Sequence, residues 1–271
     1  MPRAAIASRP SQYESWYHHF LKNRNTPCDL PGHDPYRLSA VERRLVARSI
    51  QQFQLGEWAR GRGLLRRASA HAVLRADAWF LPSLELFIAE EQRHSGLLGE
   101  FLDRQQIPRL TDNWVDNIFR RLRKLAGLEV CVIVLVTAEV LAVPFYRALR
   151  DATRSCLLNA ICRRILRDEA AHLDYQALTI GLVRRPLGRS ARAIRSFLHW
   201  LLFHGTALLL WRQHSGVFRS AGWDFRQFWR RARGVFFQLQ RRISYISSAP
   251  DPFFRCECLP SVHSTRAATR S

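Results

Sequence analysis

Residues 90–94 read Glu-Glu-Gln-Arg-His, and residues 168–172 read Asp-Glu-Ala-Ala-His. Each holds a Glu-x-x-His motif, Glu91/His94 in one and Glu169/His172 in the other. On a helix, side chains three residues apart leave from the same face, so each motif offers a carboxylate and an imidazole side by side. One such motif arises by chance in many helical chains. Two of them, on alternate long helices, point to one shared ligand, and carboxylate with imidazole is a metal-binding combination. Both motifs sit on apolar faces: Glu91 and His94 with Leu84, Phe87 and Leu98, and Glu169 and His172 with Leu158, Ile161, Ile165 and Gln176.

Working outward, two further glutamates fall on apolar faces of the remaining long segments. Glu57 shares a face with Ile50, Phe53, Gly61 and Leu64, and Glu139 with Val132, Leu135, Val136, Ala142 and Val143. Glu139 is the only charged residue between Glu129 and Arg147. An ionised carboxylate buried there costs many kcal/mol or takes up a proton, unless a cation neutralises it. The order is Glu, Glu-x-x-His, Glu, Glu-x-x-His, at intervals of 34, 48 and 30 residues from Glu57 through Glu91 and Glu139 to Glu169. The two shorter intervals suit a long helix, a turn and an antiparallel return. The longest leaves room for a crossover.

The periodicity predicts an all-α chain. Residues 1–37, with five prolines and glycines from Pro10 to Pro35, read as mostly irregular, with a short helix near Tyr13–Leu21. Ser39 and Glu42 form a capping box that opens a first helix of about 30 residues. A second helix runs from near Pro82 to about Gln105, and 112–124 forms a short amphipathic helix. A third spans about Leu128–Asp151 with a kink at Pro144, and a fourth about Arg154–Arg184. Two more follow near 189–214 and 223–243. The domain expectation is 38–185 as a four-helix metal bundle, 186–246 as basic helices packed on it, and 247–271 as a disordered tail.

This arrangement resembles the ferritin-like di-iron carboxylate proteins, in which an antiparallel four-helix bundle with a long crossover takes one glutamate from each of two helices and Glu-x-x-His from each of the other two. Over residues 40–185 the motifs look most like those of the soluble acyl-carrier-protein desaturases and their di-iron oxygenase relatives. The resemblance implies two iron ions, with an iron–manganese pair as the variant. Glu91 and Glu169 would bridge or chelate, His94 and His172 would each bind one ion, and Glu57 and Glu139 would be terminal ligands. Asp168 would accept a hydrogen bond from the far nitrogen of a ligand histidine, His94, as ligating histidines commonly require. The implied work is dioxygen-dependent hydroxylation, desaturation or N-oxygenation of a small or carrier-bound substrate, with an external electron donor. Two departures leave the substrate open: Ala142 stands where desaturases have threonine, and Ile165 where the arylamine oxygenases have a further histidine. Mixed carboxylate and imidazole donors suit iron or manganese better than zinc, magnesium or calcium.

The net charge of +20 comes almost wholly from arginine, since Lys22 and Lys124 are the only lysines. Thirteen arginines and one acid, Asp224, lie between Gly181 and Ile246, interleaved with Trp223, Phe225, Phe228 and Trp229. Such a segment could dock an acidic carrier protein, a nucleic acid or an anionic membrane, or be a solvated face. Arg192, Arg195, Arg226, Arg230 and Arg233 fall on outer faces. The six cysteines make neither zinc spacing nor a disulfide framework, so a reducing cytoplasmic setting is expected. The apolar runs 130–143 and 197–211 fall short of the ~20 residues a membrane span needs. Tyr146, two turns after Glu139, and Trp58, next to Glu57, could be redox neighbours, but aromatics in bundles usually read as core. His71, His199, His204 and His214 read as packing or surface residues, and Glu85, Glu90 and Glu100 as solvated. Three rival functions stay open: a ferroxidase or iron-handling protein, an RNA-binding or tRNA-modifying protein driven by the basic segment, and a scaffold that keeps the fold without redox work. A homodimer is compatible with the enzyme, whereas a storage protein would form a large cage.

Overall fold

The computed structural model describes residues 11–58, 61–71, 74, 77–111 and 127–249. Among them the regular structure is all helical, without strands. The helices are α1 (Glu14–Asn25), α2 (Ala40–Glu57), α3 (Arg62–Ala70), α4 (Phe80–Arg104), α5 (Leu128–Ala152), α6 (Cys156–Arg184), α7 (Arg189–Ser220) and α8 (Phe225–Ser248). The chain divides into two compact units, one of residues 1–29 and 50–131, the other of residues 30–49 and 132–271. The expected helix at 112–124 and the expected tail beyond 249 lie outside the described residues.

In the first unit α1 packs on α4 through aromatic pairs. Tyr13 meets Phe80 at 4.8 Å and Phe20 meets Phe87 at 6.0 Å between ring centres. Such pairs contribute about 1 kcal/mol beyond area burial. The last turns of α2 are tied to α4 by a buried exchange: Gln54 Nε2 donates to Ser95 Oγ (2.9 Å), and that hydroxyl donates to the Gln54 carbonyl (2.8 Å). The predicted 30-residue first helix is two helices. Its capping box is present, with Ser39 Oγ accepting from the Glu42 N–H and Glu42 Oε2 from the Ser39 N–H. Glu57 ends α2, and Gly61 at φ +62° precedes α3. That left-handed conformation suits glycine. A Cβ there would also meet Ile88 of α4 at 2.4 Å. Steric fit to α4 therefore overrides the helical periodicity.

In the second unit α6 packs on α8 and α8 on α7. α6 is capped by Ser155, whose hydroxyl accepts from the Leu158 N–H at 3.0 Å. Buried Asp34, from the stretch expected to be irregular, accepts from the Leu157 N–H at 3.0 Å and from the Ser155 hydroxyl. Burial opposes the charge on Asp34, but the bonds from Ser155, Tyr36 and Leu157 outweigh it and hold its carboxyl below the ordinary range. α5 runs uninterrupted through Pro144, which cannot donate to the Val140 carbonyl. α7 extends past the expected end at 214, and His214 itself, at φ −117° and ψ 15°, is the one position in it off helical geometry. There His214 Nδ1 meets Ser49 Oγ at 2.9 Å. Two residues on, a Cβ at Gly216 would stand 2.9 Å from the Leu45 carbonyl oxygen.

The short apolar runs of α5 and α7 are parts of helices of 25 and 32 residues, with mean hydropathies of 2.3 and 1.3 over their best windows; by length and composition alone these are long and apolar enough to cross a membrane, which two such helices support only weakly. The α5 window is 78% buried, as in the core helix of a soluble protein, and the α7 window only 17%. Of the five arginines expected on outer faces, Arg195, Arg226, Arg230 and Arg233 are exposed and Arg192 is not fully so. Arg164 and Arg184 are buried, and half-buried Arg192 donates to the Ser247 carbonyl.

Candidate metal centre

The first Glu-x-x-His lies mid-way along α4. Glu91 and His94 are buried, His94 completely, among Phe87, Leu97 and Leu98. Helical spacing sets Glu91 Oε1 and His94 Nδ1 3.8 Å apart. The second lies on α6, where Glu169 and His172 are both fully buried and Glu169 Oε2 stands 3.9 Å from His172 Nδ1. The two motifs thus repeat one local geometry. Those separations exceed a hydrogen bond. They match two donors on one ion, since metal bonds of about 2.1 Å place neighbouring ligand atoms about 3 to 4 Å apart. One ligand atom from each of Glu91, His94, Glu169 and His172 lies within 4.8 Å of the other three. This buried group could hold a metal ion. Two carboxylates and two imidazoles are its donors, and the carboxylate charge fits a cation.

The other expected ligands are described by their own surroundings. Glu57 closes α2 and is buried, and Glu139 on α5 is 3% exposed among Val136, Val140 and Val143. Neither is among the four clustered residues. Glu139 Oε2 accepts from the side-chain amide of Gln176, one turn beyond His172 on α6. Gln176 was legible as a member of the α6 ligand face but not as a donor to Glu139. Asp168 is buried and accepts from Arg164 Nε at 2.8 Å, an i,i+4 pair sealed inside the protein. The signal for that pair was the helical spacing itself.

Two further readings change. Glu90, expected in solvent, is buried and paired with Arg93, which also donates to the Asn23 carbonyl at 2.9 Å and ties α4 to α1. Glu100, also expected in solvent, keeps a side chain 44% exposed in a surface pair with Arg104 at 2.6 Å. Trp58, expected in the core, is 54% exposed, whereas Tyr146 is buried. Cys156 is exposed at the start of α6, while Cys131 and Cys162 are buried.

Of the histidines outside the motifs, His199 is buried. Its Nδ1 faces the Gln240 amide nitrogen at 2.8 Å and its Nε2 the Thr137 hydroxyl at 3.1 Å. Thr137 donates its own proton to the Ile133 carbonyl, so its oxygen is left to accept and His199 carries its proton on Nε2. Burial, helped by the nearby Arg184 guanidinium, pushes His199 down to about 3. Burial alone takes His214 down to about 4.

No protein-family model, curated protein or solved structure matches the chain. The site's chemistry therefore carries the functional reading.

Proposed function

We propose that the chain is a non-haem di-iron oxidase or oxygenase of ferritin-like build, using dioxygen to hydroxylate, desaturate or N-oxygenate an organic substrate. The observation that carries this reading is the buried convergence of Glu91, His94, Glu169 and His172. In this proposal Glu57 and Glu139 complete the set for two ions, and Asp168, besides taking Arg164, orients His94. Bound ferrous ions would supply the electrons that dioxygen takes. The chain's own part is to hold them and keep water away. Val136 and Val140 beside Glu139 on α5, and Leu158, Ile161 and Ile165 on the ligand face of α6, all buried, would give such chemistry the apolar surroundings it needs. Substrate and an external electron-donor protein would come from outside the chain.

The test is aerobic iron loading followed by elemental analysis and optical spectroscopy. About two irons per chain and a charge-transfer band in the near ultraviolet are expected, and Glu169→Ala should lose both. Unchanged metal content in that variant would overturn the assignment. Oxygen consumption with a reductant, together with a monomer or dimer on size-exclusion chromatography, separates the enzyme from an iron-storage cage.

A further inference from the structure

α7 is apolar on two opposite faces, and one is left open. His199, Phe203, Ala207, Val217 and Phe218 are buried. On this side Phe203 stacks on Phe236 of α8 at 4.3 Å, and Phe218 meets Phe228 at 4.6 Å. Half a turn round the helix, Ile194, Phe197, Leu198, Leu201 and Leu208 recur at intervals of three, four and seven residues. They form one stripe, from 46% to 60% exposed. Trp200 stands beside it, 38% exposed. Isolated exposed apolar side chains are ordinary, but a continuous stripe of this kind marks an interaction surface.

The charges of the same helix say what covers it. Arg189 and Arg195 are exposed near its start, Arg212 and Arg219 near its end, and the helix contains no acidic residue. A greasy stripe with guanidinium groups at both ends suits a surface that offers acyl chains below and phosphates above. Arginine stems reach from the apolar layer to the headgroups. A second copy of the chain would set arginine against arginine, on a molecule of net charge +20. A nucleic acid supplies the phosphates but nothing apolar for leucine and isoleucine.

We propose that the exposed face of α7 docks the protein on an anionic lipid bilayer, with the helix lying in the interface. The uncharged run 196–211 is 16 residues, about 24 Å of helix. Although the whole 32-residue helix is long and apolar enough by length and composition to cross a membrane, this uncharged run is shorter than the ~30 Å hydrocarbon layer. The opposite face of α7 is occupied by α8, whose outer side carries exposed Arg226, Arg230, Arg233 and Arg241. A helix so attached lies on the membrane instead of crossing it.

The test is flotation of the full-length protein with vesicles containing about one-third phosphatidylglycerol, against pure phosphatidylcholine, at about 0.1 M salt. Binding at least about tenfold tighter to the anionic vesicles is expected. The double variant Leu201→Glu, Leu208→Glu should weaken it at least about tenfold. These side chains are 46% and 54% exposed. Helical circular dichroism and iron content should therefore stay as in the wild type. Arg212→Gln with Arg219→Gln should reduce the salt dependence. The proposal fails if the wild type does not float, or if the double-glutamate variant floats equally well. It also fails if light scattering shows a dimer that this variant splits without any flotation, or if alkaline carbonate leaves the protein in the vesicles as a spanning helix would be. Iron content is read in the same samples, so failure here is distinguishable from failure of the metal centre.

Discussion

Glu139 Oε2 accepts from the neutral amide of Gln176, on a stretch of α5 with no other charged residue between Glu129 and Arg147. A buried carboxylate is stabilised by a cation and destabilises the protein without one. Metal-free protein should therefore be less stable than metal-loaded protein, with a thermal midpoint that rises as iron is added. Glu139→Gln keeps an acceptor for Gln176 and removes the charge. It should abolish the gain in stability on iron loading. Calorimetry with and without iron reads this effect, and a variant that still gains stability from iron would remove Glu139 from the ligand set. At this scale the sequence spoke clearly. Charged residues on apolar faces at helical spacing are conspicuous, and Glu91, His94, Glu139, Glu169 and His172 are indeed buried. What it hid were partners chosen by packing, such as Gln176 for Glu139 and Asp34 for the start of α6.

Helices were legible in existence and order, and less so in extent. α4, α5 and α6 lie within about two residues of expectation, because apolar periodicity and caps agree there. The first helix was misread because Gly61 looks from sequence like an ordinary member of an apolar face, whereas its left-handed φ and the nearness of Ile88 end the helix. α7 was cut short at His214, where the backbone departs from helical geometry and yet resumes. Just beyond, Gly216 lets α7 approach the Leu45 carbonyl of α2 so closely that no Cβ fits. The obstructing atom is backbone, which cannot swing aside. Gly216→Ala should cost about 1 to 3 kcal/mol despite alanine's better helix propensity. Urea titration checks this, and an unchanged or raised midpoint would show that the two helices can part freely.

For the molecule as a whole, the buried neutral histidines set a pH dependence. His199 and His214 fall from 6.5 to about 3 and about 4 on folding, so the unfolded chain takes up their protons first. Their contribution is complete above about pH 6.5 and is lost as pH falls toward 4. At pH 5 each should lower stability by roughly 2 kcal/mol relative to pH 7. Denaturation at the two pH values, compared between wild type and His199→Asn, isolates one share, and equal slopes in both would refute it. The charged exterior behaves oppositely. It is built from guanidinium groups, which keep their proton at any pH a cell reaches, while Lys22 and Lys124 are the chain's only side-chain amines. Acetyltransferases and ubiquitin ligases, which act on such amines, therefore find almost no foothold, and neither acidification nor acylation can discharge the surface. Its positive potential is a constant of the molecule, adjustable only by the counter-ions and polyanions that gather around it.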